Sequence, residues 1–309
     1  MNASMLSNRF VRFFRHLNWI TLKKTIARVA KRRLPGLSSE IAYNAMLSLF
    51  PAIIAVLTAI GLLGSALQPT FQDIADRLGK VAPEEAIVLI RDFAKQITHT
   101  QNTGLFSISF VVAIWTASAA LSAAMTALDQ IHQIPLKQTR PFWKAKLVSL
   151  GLTIGTIVLL MTASFLVFIS DLILQFFVRE SGFYLLLTIW QLLRWPLALA
   201  IVATAFAFVY RYGPSRWDSG TPMMPGAVLA AIAWAIASAL FRLYVASFGN
   251  FNQVYGAVGA VIVLMLWLYM SALVVLVGDQ LNVTVGEAMR SKSAKNLNAP
   301  PKVEIRFKG

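Results

Sequence analysis

Residues 251–282 read FNQVYGAVGAVIVLMLWLYMSALVVLVGDQLN, and positions 257–278 carry no charged side chain. At 1.5 Å per residue, about 20 apolar residues cross the hydrocarbon core of a bilayer. A helix on a soluble core needs one apolar stripe, whereas this one is apolar all round. Tyr255 stands at one end with Trp267 and Tyr269 further in, and Asp279 and Asn282 close the other. The stretch is a membrane span. Five more of the same kind precede it, so the predicted fold is all-α, a polytopic membrane protein with six transmembrane helices. The spans fall at about 41–67, 104–128, 147–170, 192–212, 222–247 and 257–281.

Composition agrees. The chain has 309 residues, 57% hydrophobic and 13% charged, where an ordinary soluble domain has about 25% charged residues. A formal net charge of +15 in a soluble protein would point to nucleic acid. Here the basic residues sit in tails and in the connections between apolar spans, so no nucleic-acid partner is expected. The absence of cysteine excludes disulfides, thiolate metal sites and a cysteine nucleophile.

Residues 1–39 form a basic segment with nine Lys and Arg. No apolar run follows the first charges, so this is not a secretory signal. Phe10, Phe13, Phe14 and Leu17 recur at helical spacing opposite Arg12, Arg15 and His16. That pattern fits a helix lying on an anionic leaflet, with a disordered tail as the alternative. The first span opens with an unusually polar face of Glu40, Asn44, Ser48 and Pro51. Polar groups are expensive in lipid, so this face should turn inward, either lining a pathway or gluing helices together. Pro51 removes a backbone donor and can kink the helix.

Residues 68–103 are a charge-mixed extracytoplasmic connection read as two short amphipathic helices. In the second span Ser118, Ser122 and Thr126 form a small-residue ridge for close packing, and the third contains Gly151-x-x-x-Gly155. Residues 171–191 are expected to ride along the outer interface. Trp190 and Trp195 flank Arg194 as an interface belt would, so Arg194 should snorkel. Pro225, Gly226, Gly256 and Gly259 sit where the fifth and sixth spans begin, as hinge or close-packing positions. The tail at 286–309 is basic and reads as disordered. Connections on one side hold 21 Lys and Arg against five on the other, which places both termini in the cytoplasm.

His16, His99 and His132 lie in three separate segments, so no metal-ligand spacing exists. There is no Walker A run and no Gly-x-Ser-x-Gly elbow, so neither an ATPase nor a hydrolase is indicated. No cofactor is expected, and the chain does not read as an enzyme. What remains is two polar layers. On the cytoplasmic side are Glu40, Tyr43, Asn44, Ser48, Asp129, Asp279 and Asn282; on the outer side are Asp171, Arg194, Arg242, Asn250, Asn252, Gln253 and Tyr255. Ionisable groups in spans are candidate sites, or else structural pairs and snorkelling side chains. The expected pairs are Asp171 with Arg194 or Arg242, and Asp279 with the Glu40/Asn44 stripe.

Three stretches carry a family resemblance. The Asn/Tyr-Gly turn, Gly-spaced entry, LWLYMS run and closing GDQLN of residues 251–282 resemble the last span of the YihY/virulence-factor BrkB family of bacterial inner-membrane proteins. SEIAYNAMLSLFP at 39–51 is similar to that family's first span, and YRYGPSRW followed by PGAVLAA, within 210–231, to the turn into its fifth. The match runs over about 34–285; one departure is Asp279, where the family often has Glu. The resemblance implies an inner-membrane protein that moves, or helps move, an amphiphilic or anionic solute, lipid included. The alternative is a non-transporting scaffold for envelope-assembly proteins. Membrane lipids are the expected partners. The family has also carried a ribonuclease label, but a metal-dependent ribonuclease needs a His/Asp cluster that these residues do not supply.

Overall fold

The computed structural model describes residues 13–63, 103–181, 184–216, 221–247 and 251–297; side chains are described over 13–54, 104, 107–166, 189–190, 192–216, 221–246 and 258–291. The order is α1 (Trp19–Lys31), α2 (Leu34–Leu63), α3 (Thr103–Ile131), α4 (Phe142–Ser181), α5 (Tyr184–Tyr212), α6 (Met224–Ser247) and α7 (Phe251–Leu297), with a short 3₁₀ turn at Leu136–Gln138. No strand occurs among the described residues. Helices α2 to α7 are each long and apolar enough to cross a membrane, as the sequence predicts.

The helix starts have local causes. Asn18 caps α1, its Oδ1 accepting from the Thr21 backbone N–H at 2.9 Å and from the Thr21 hydroxyl at 2.8 Å. Pro35 and Pro225 fall in the first turns of α2 and α6, where a missing N–H is harmless. Arg33 between α1 and α2 (φ 54°) and Gln133 after α3 (φ 56°) take the left-handed conformation that reverses the chain.

Each of the six long helices packs against the next in sequence, and α7 returns to pack against α2. The result is a ring in chain order. Among the described residues, burial is densest at one end. In α2 the buried described positions are Leu34, Ser38 and Ala42, and none follows through Ile54; in α6 none follows Ala231 through Ala246. In α3 and α5, which run the other way, burial is densest toward the C-terminal turns, ending at Ile131 and Tyr210. The closed end is therefore the one holding α1, residues 132–141, 213–216 and 221–223 and the later part of α7.

Several expectations need correction. Residues 171–191 do not form a separate rider, because α4 continues to Ser181 and α5 resumes at Tyr184. The turn at 248–256 is shorter, since α7 begins at Phe251, and the tail is helical to Leu297 rather than disordered from 286. Phe13 is fully buried, packed with Val285 and Met289 of α7, so the predicted lipid-facing stripe loses one member to the core. Phe10 and Arg12, and the outer connection up to residue 102, lie outside the described residues.

Helix α1 supplies the outward apolar face instead. Thr21, Thr25 and Arg28 turn toward the bundle, while Trp19, Ile20 and Ile26 are 76%, 75% and 62% exposed. The exposed side of this helix mixes these apolar residues with Lys23, Lys24 and Lys31, while Val29 packs on the core beside the polar inner face. Close packing also differs from the predicted ridges. The buried small face of α3 is Ala113, Ala120, Ala123, Ala124 and Ala127 with Ser118, whereas Thr126 is exposed. In the Gly-x-x-x-Gly of α4 only Gly155 is crowded: a Cβ there would lie 2.7 Å from the Phe208 ring of α5, while at Gly151 it would meet nothing within 4 Å. Lys146 of α4 reaches α3, donating to Ser118 Oγ at 2.5 Å with its ammonium 4.0 Å from the Trp115 ring centroid. Trp234 of α6 and Trp267 of α7 each donate their indole N–H across that seam, to Ser271 at 3.0 Å and Ser238 at 3.4 Å.

Candidate functional site

The closed end is built on the polar part of α7. Leu276, Asp279, Gln280, Asn282 and Val285 are fully buried there. Buried polar groups are tolerated only when paired, and nearly all of these are. Asp279 Oδ2 lies 3.0 Å from His132 Nε2, just past the end of α3, with both side chains buried. Arg32 donates to Gln280 Oε1 at 2.7 Å and to the Ile131 carbonyl, so one guanidinium ties the α1–α2 turn to α7 and α3. Gln280 Nε2 in turn donates to Thr284 Oγ1 at 3.0 Å. Arg28 donates to Glu287 Oε2 at 2.6 Å, with Lys24 3.6 Å away on the rim. Burial pulls the Arg32 guanidinium below the ordinary arginine value; neighbouring Arg28 adds to this, and Glu287 and Asp279 oppose it.

Asn282 serves a different helix. Its Oδ1 accepts the Gly226 backbone N–H at 2.9 Å and its Nδ2 donates to the Met223 carbonyl at 3.2 Å. The first N–H groups of α6 have no partner within that helix, so Asn282 caps it from outside. Tyr210, also fully buried, donates its hydroxyl to the Val275 carbonyl at 2.6 Å and joins the end of α5 to α7.

A second polar cluster holds the turn after α5. Asp129 accepts from the Ser215 backbone N–H at 2.6 Å and from its hydroxyl at 2.7 Å. The Arg140 guanidinium donates to the carbonyls of Gly213 (2.7 Å), Tyr212 (3.0 Å) and Pro214 (2.7 Å), and its backbone N–H donates to Ser215 Oγ. The last carbonyls of a helix carry partial negative charge and lack partners, so an arginine here both pairs them and complements the dipole. Burial lowers the Arg140 pKa, against the pull of Asp129.

Of the cytoplasmic list, the structure places Asp129, Asp279 and Asn282 at the closed end, each with its own partners, and leaves the rest on α2. Glu40 and Tyr43 are exposed, Asn44 Nδ2 donates to the Glu40 carbonyl at 2.9 Å, and Ser48 Oγ to the Ala45 carbonyl at 2.6 Å. The stripe bonds back to its own helix, and Asp279 is paired with His132 instead. Pro51 lies inside α2 and Gly259 is buried in α7. On the other side Arg242 is exposed on α6, and the Arg194 guanidinium lies 5.8 Å from the Trp195 ring centroid. Asn250, and the side chains of Asp171, Asn252, Gln253 and Tyr255, lie outside the described residues together with Gly256's surroundings, so the Asp171 pairing does too.

His132, Arg32, Arg140, Gln280 and Tyr210 are the contributors that sequence reasoning missed. Each reads as a loop charge, a lone histidine or an ordinary end-of-span residue until the helices are assembled. Among the described residues no group of three His, Cys, Asp or Glu could hold a metal ion.

Comparison with known proteins places the chain. The profile of a family described as Virulence factor BrkB matches residues 25–303. The ribonuclease-like protein YfkH of Bacillus subtilis is 32% identical over 270 residues, 84% of this chain and 93% of that one. A UPF0761 membrane protein of Tolumonas auensis is 27% identical over 264 residues, 84% and 83% of the two chains, and one of Aliivibrio fischeri is 24% identical over 275 residues, 88% and 84%. No solved structure matches. With six apolar helices and a family match over most of its length, this multi-pass inner-membrane protein belongs to the virulence factor BrkB family.

Proposed function

We propose that the protein moves, or helps move, an amphiphilic or anionic solute such as a lipid across or within the inner membrane, without nucleotide hydrolysis of its own. The observation that carries this is the closed end itself: among the described residues, six consecutive helices pack in a circle and are tied there by buried polar contacts. Polar and ionisable groups buried within a membrane bundle mark substrate and ion pathways. The test is a reconstituted vesicle in which a fluorescent phospholipid is followed between leaflets. Wild type should accelerate exchange, and Arg242→Ala should abolish it while the protein stays folded and inserted. If wild type moves neither zwitterionic nor anionic lipid, transport is wrong. Loss of envelope function on deletion within 68–103 would then favour the scaffold.

The charge asymmetry of the connections supports a cytoplasmic position for the closed end. On that orientation α1 lies at the headgroup level, its Trp19/Ile26 face toward lipid and Lys23 and Lys31 toward anionic headgroups. The cysteine-free chain makes single labels unique. A fluorophore at Ile26→Cys should be quenched by shallow nitroxide lipids and one at Lys24→Cys should not; equal quenching would remove the interfacial placement.

A further inference from the structure

Asp279 carries a feature that its structural role does not use. Its Oδ2 meets His132, but Oδ1 is equally sealed from solvent and has no hydrogen-bond partner among the described residues. A buried acceptor left unmade costs about 1–3 kcal/mol, more on an ionised group. Arg32, from the turn between α1 and α2, and Tyr210, from α5, lie within electrostatic reach. Arg32 is already bonded to Gln280 and to the Ile131 carbonyl. At the adjoining Gly278, a Cβ would meet the Tyr210 hydroxyl and the Ala230 methyl of α6.

Two states of the pair differ by one proton. With an imidazolium facing the carboxylate, the pair is neutral overall, which a low-dielectric site favours. When the proton leaves Nδ1, His132 still donates through Nε2–H, but the full negative charge stays on a carboxylate with one oxygen unpaired. The replacement cation within reach is Arg32, and taking it to Oδ1 would release its bonds to Gln280 and Ile131. Proton loss is thereby linked to the joint between α1, α3 and α7 at the closed end of the ring.

We propose that His132 and Asp279 bind and release one proton, and that this proton is the ion coupled to solute movement. The proton site stands on the geometry of the pair; its coupling role rests on the transport reading above. The chain has three histidines, so isotope-labelled imidazoles in nanodiscs can be assigned with His132→Gln. Across the pH range in which the nanodiscs are stable, the His132 signal should switch once between its two protonation states, with a single midpoint. Asp279→Asn, which keeps the shape and removes the charge, should lower that midpoint by at least one pH unit, about tenfold in proton affinity. Asp279→Glu should restore most of it, which guards against a folding defect in the amide variant. A His132 signal that keeps one protonation state across this range, or titrates identically in Asp279→Asn, overturns the site. In vesicles, an imposed proton gradient should change the wild-type lipid rate, and Asp279→Asn should be insensitive to it. Lipid movement indifferent to the gradient overturns the coupling. If wild type moves no lipid at all, the transport reading and the coupling fall together, and the titration still decides the site.

Discussion

Gly226→Ala is expected to unfold the closed end. Gly226 sits in the first turn of α6 against Asn282, and a Cβ there would collide with the Oδ1, Cγ and Nδ2 atoms of that side chain, Nδ2 at 2.5 Å. Asn282 is short, fully buried and already committed to Gly226 N–H and the Met223 carbonyl, so it cannot swing away without breaking both bonds. Overpacking costs about 1–3 kcal/mol, and the stranded amide adds about 1–3 kcal/mol more. A loss of about 3 kcal/mol or more should appear as a large drop in apparent melting temperature in detergent. Gly151→Ala is the control: its Cβ meets nothing, and glycine to alanine inside a helix is worth about 0.5–1 kcal/mol in the opposite direction. The mechanism also predicts non-additivity. Asn282→Ala alone should be costly, yet adding Gly226→Ala to it should cost almost nothing, because the colliding atoms are gone. A Gly226→Ala protein that melts like wild type would show that the approach is not tight.

What the sequence made legible follows from which forces act locally. Six spans could be read because apolar length is a property of each segment alone. Asp129, Asp279, Asn282 and Gly226 could be singled out because polar residues and glycines at span ends are conspicuous against an apolar background. Their partners could not. Arg32 and Arg140 satisfy the positive-inside rule as loop charges, and nothing in composition distinguishes a loop arginine in water from one turned back onto helix ends. His132 looked isolated because 147 residues separate it from Asp279. The expected pairing of Asp279 with the Glu40/Asn44 stripe failed for the opposite reason: serine and asparagine can bond their own helix, and here Asn44 and Ser48 do. The tail after Gly286 carries enough charge to read as disordered, but Val285 and Met289 pack on Phe13, and Glu287 is held by Arg28. Tertiary contacts overrule the composition there.

Arg140→Ala should destabilise nearly as much as Gly226→Ala, and through a different physical route. A single guanidinium donates to three successive carbonyls, of Tyr212, Gly213 and Pro214, and its own backbone N–H fixes Ser215, which Asp129 grips from α3. Charge-assisted bonds of this kind are worth about 1.5–3 kcal/mol each when buried and less where water reaches them, as at Tyr212. The three are not additive, so a total of about 3 kcal/mol is expected, or roughly 6–12 °C in apparent melting temperature for a chain of this order of size. Arg140→Lys should recover little, because an ammonium on a flexible stem cannot hold three divergent carbonyls in one plane. Ser215→Ala removes one bond to Asp129 and leaves the backbone N–H bond in place, so it should cost about 1 kcal/mol. Recovery by lysine equal to wild type would show that Arg140 contributes charge alone. In that case its place over the end of α5 would be an effect of the helix dipole and not of the fork that the three distances describe.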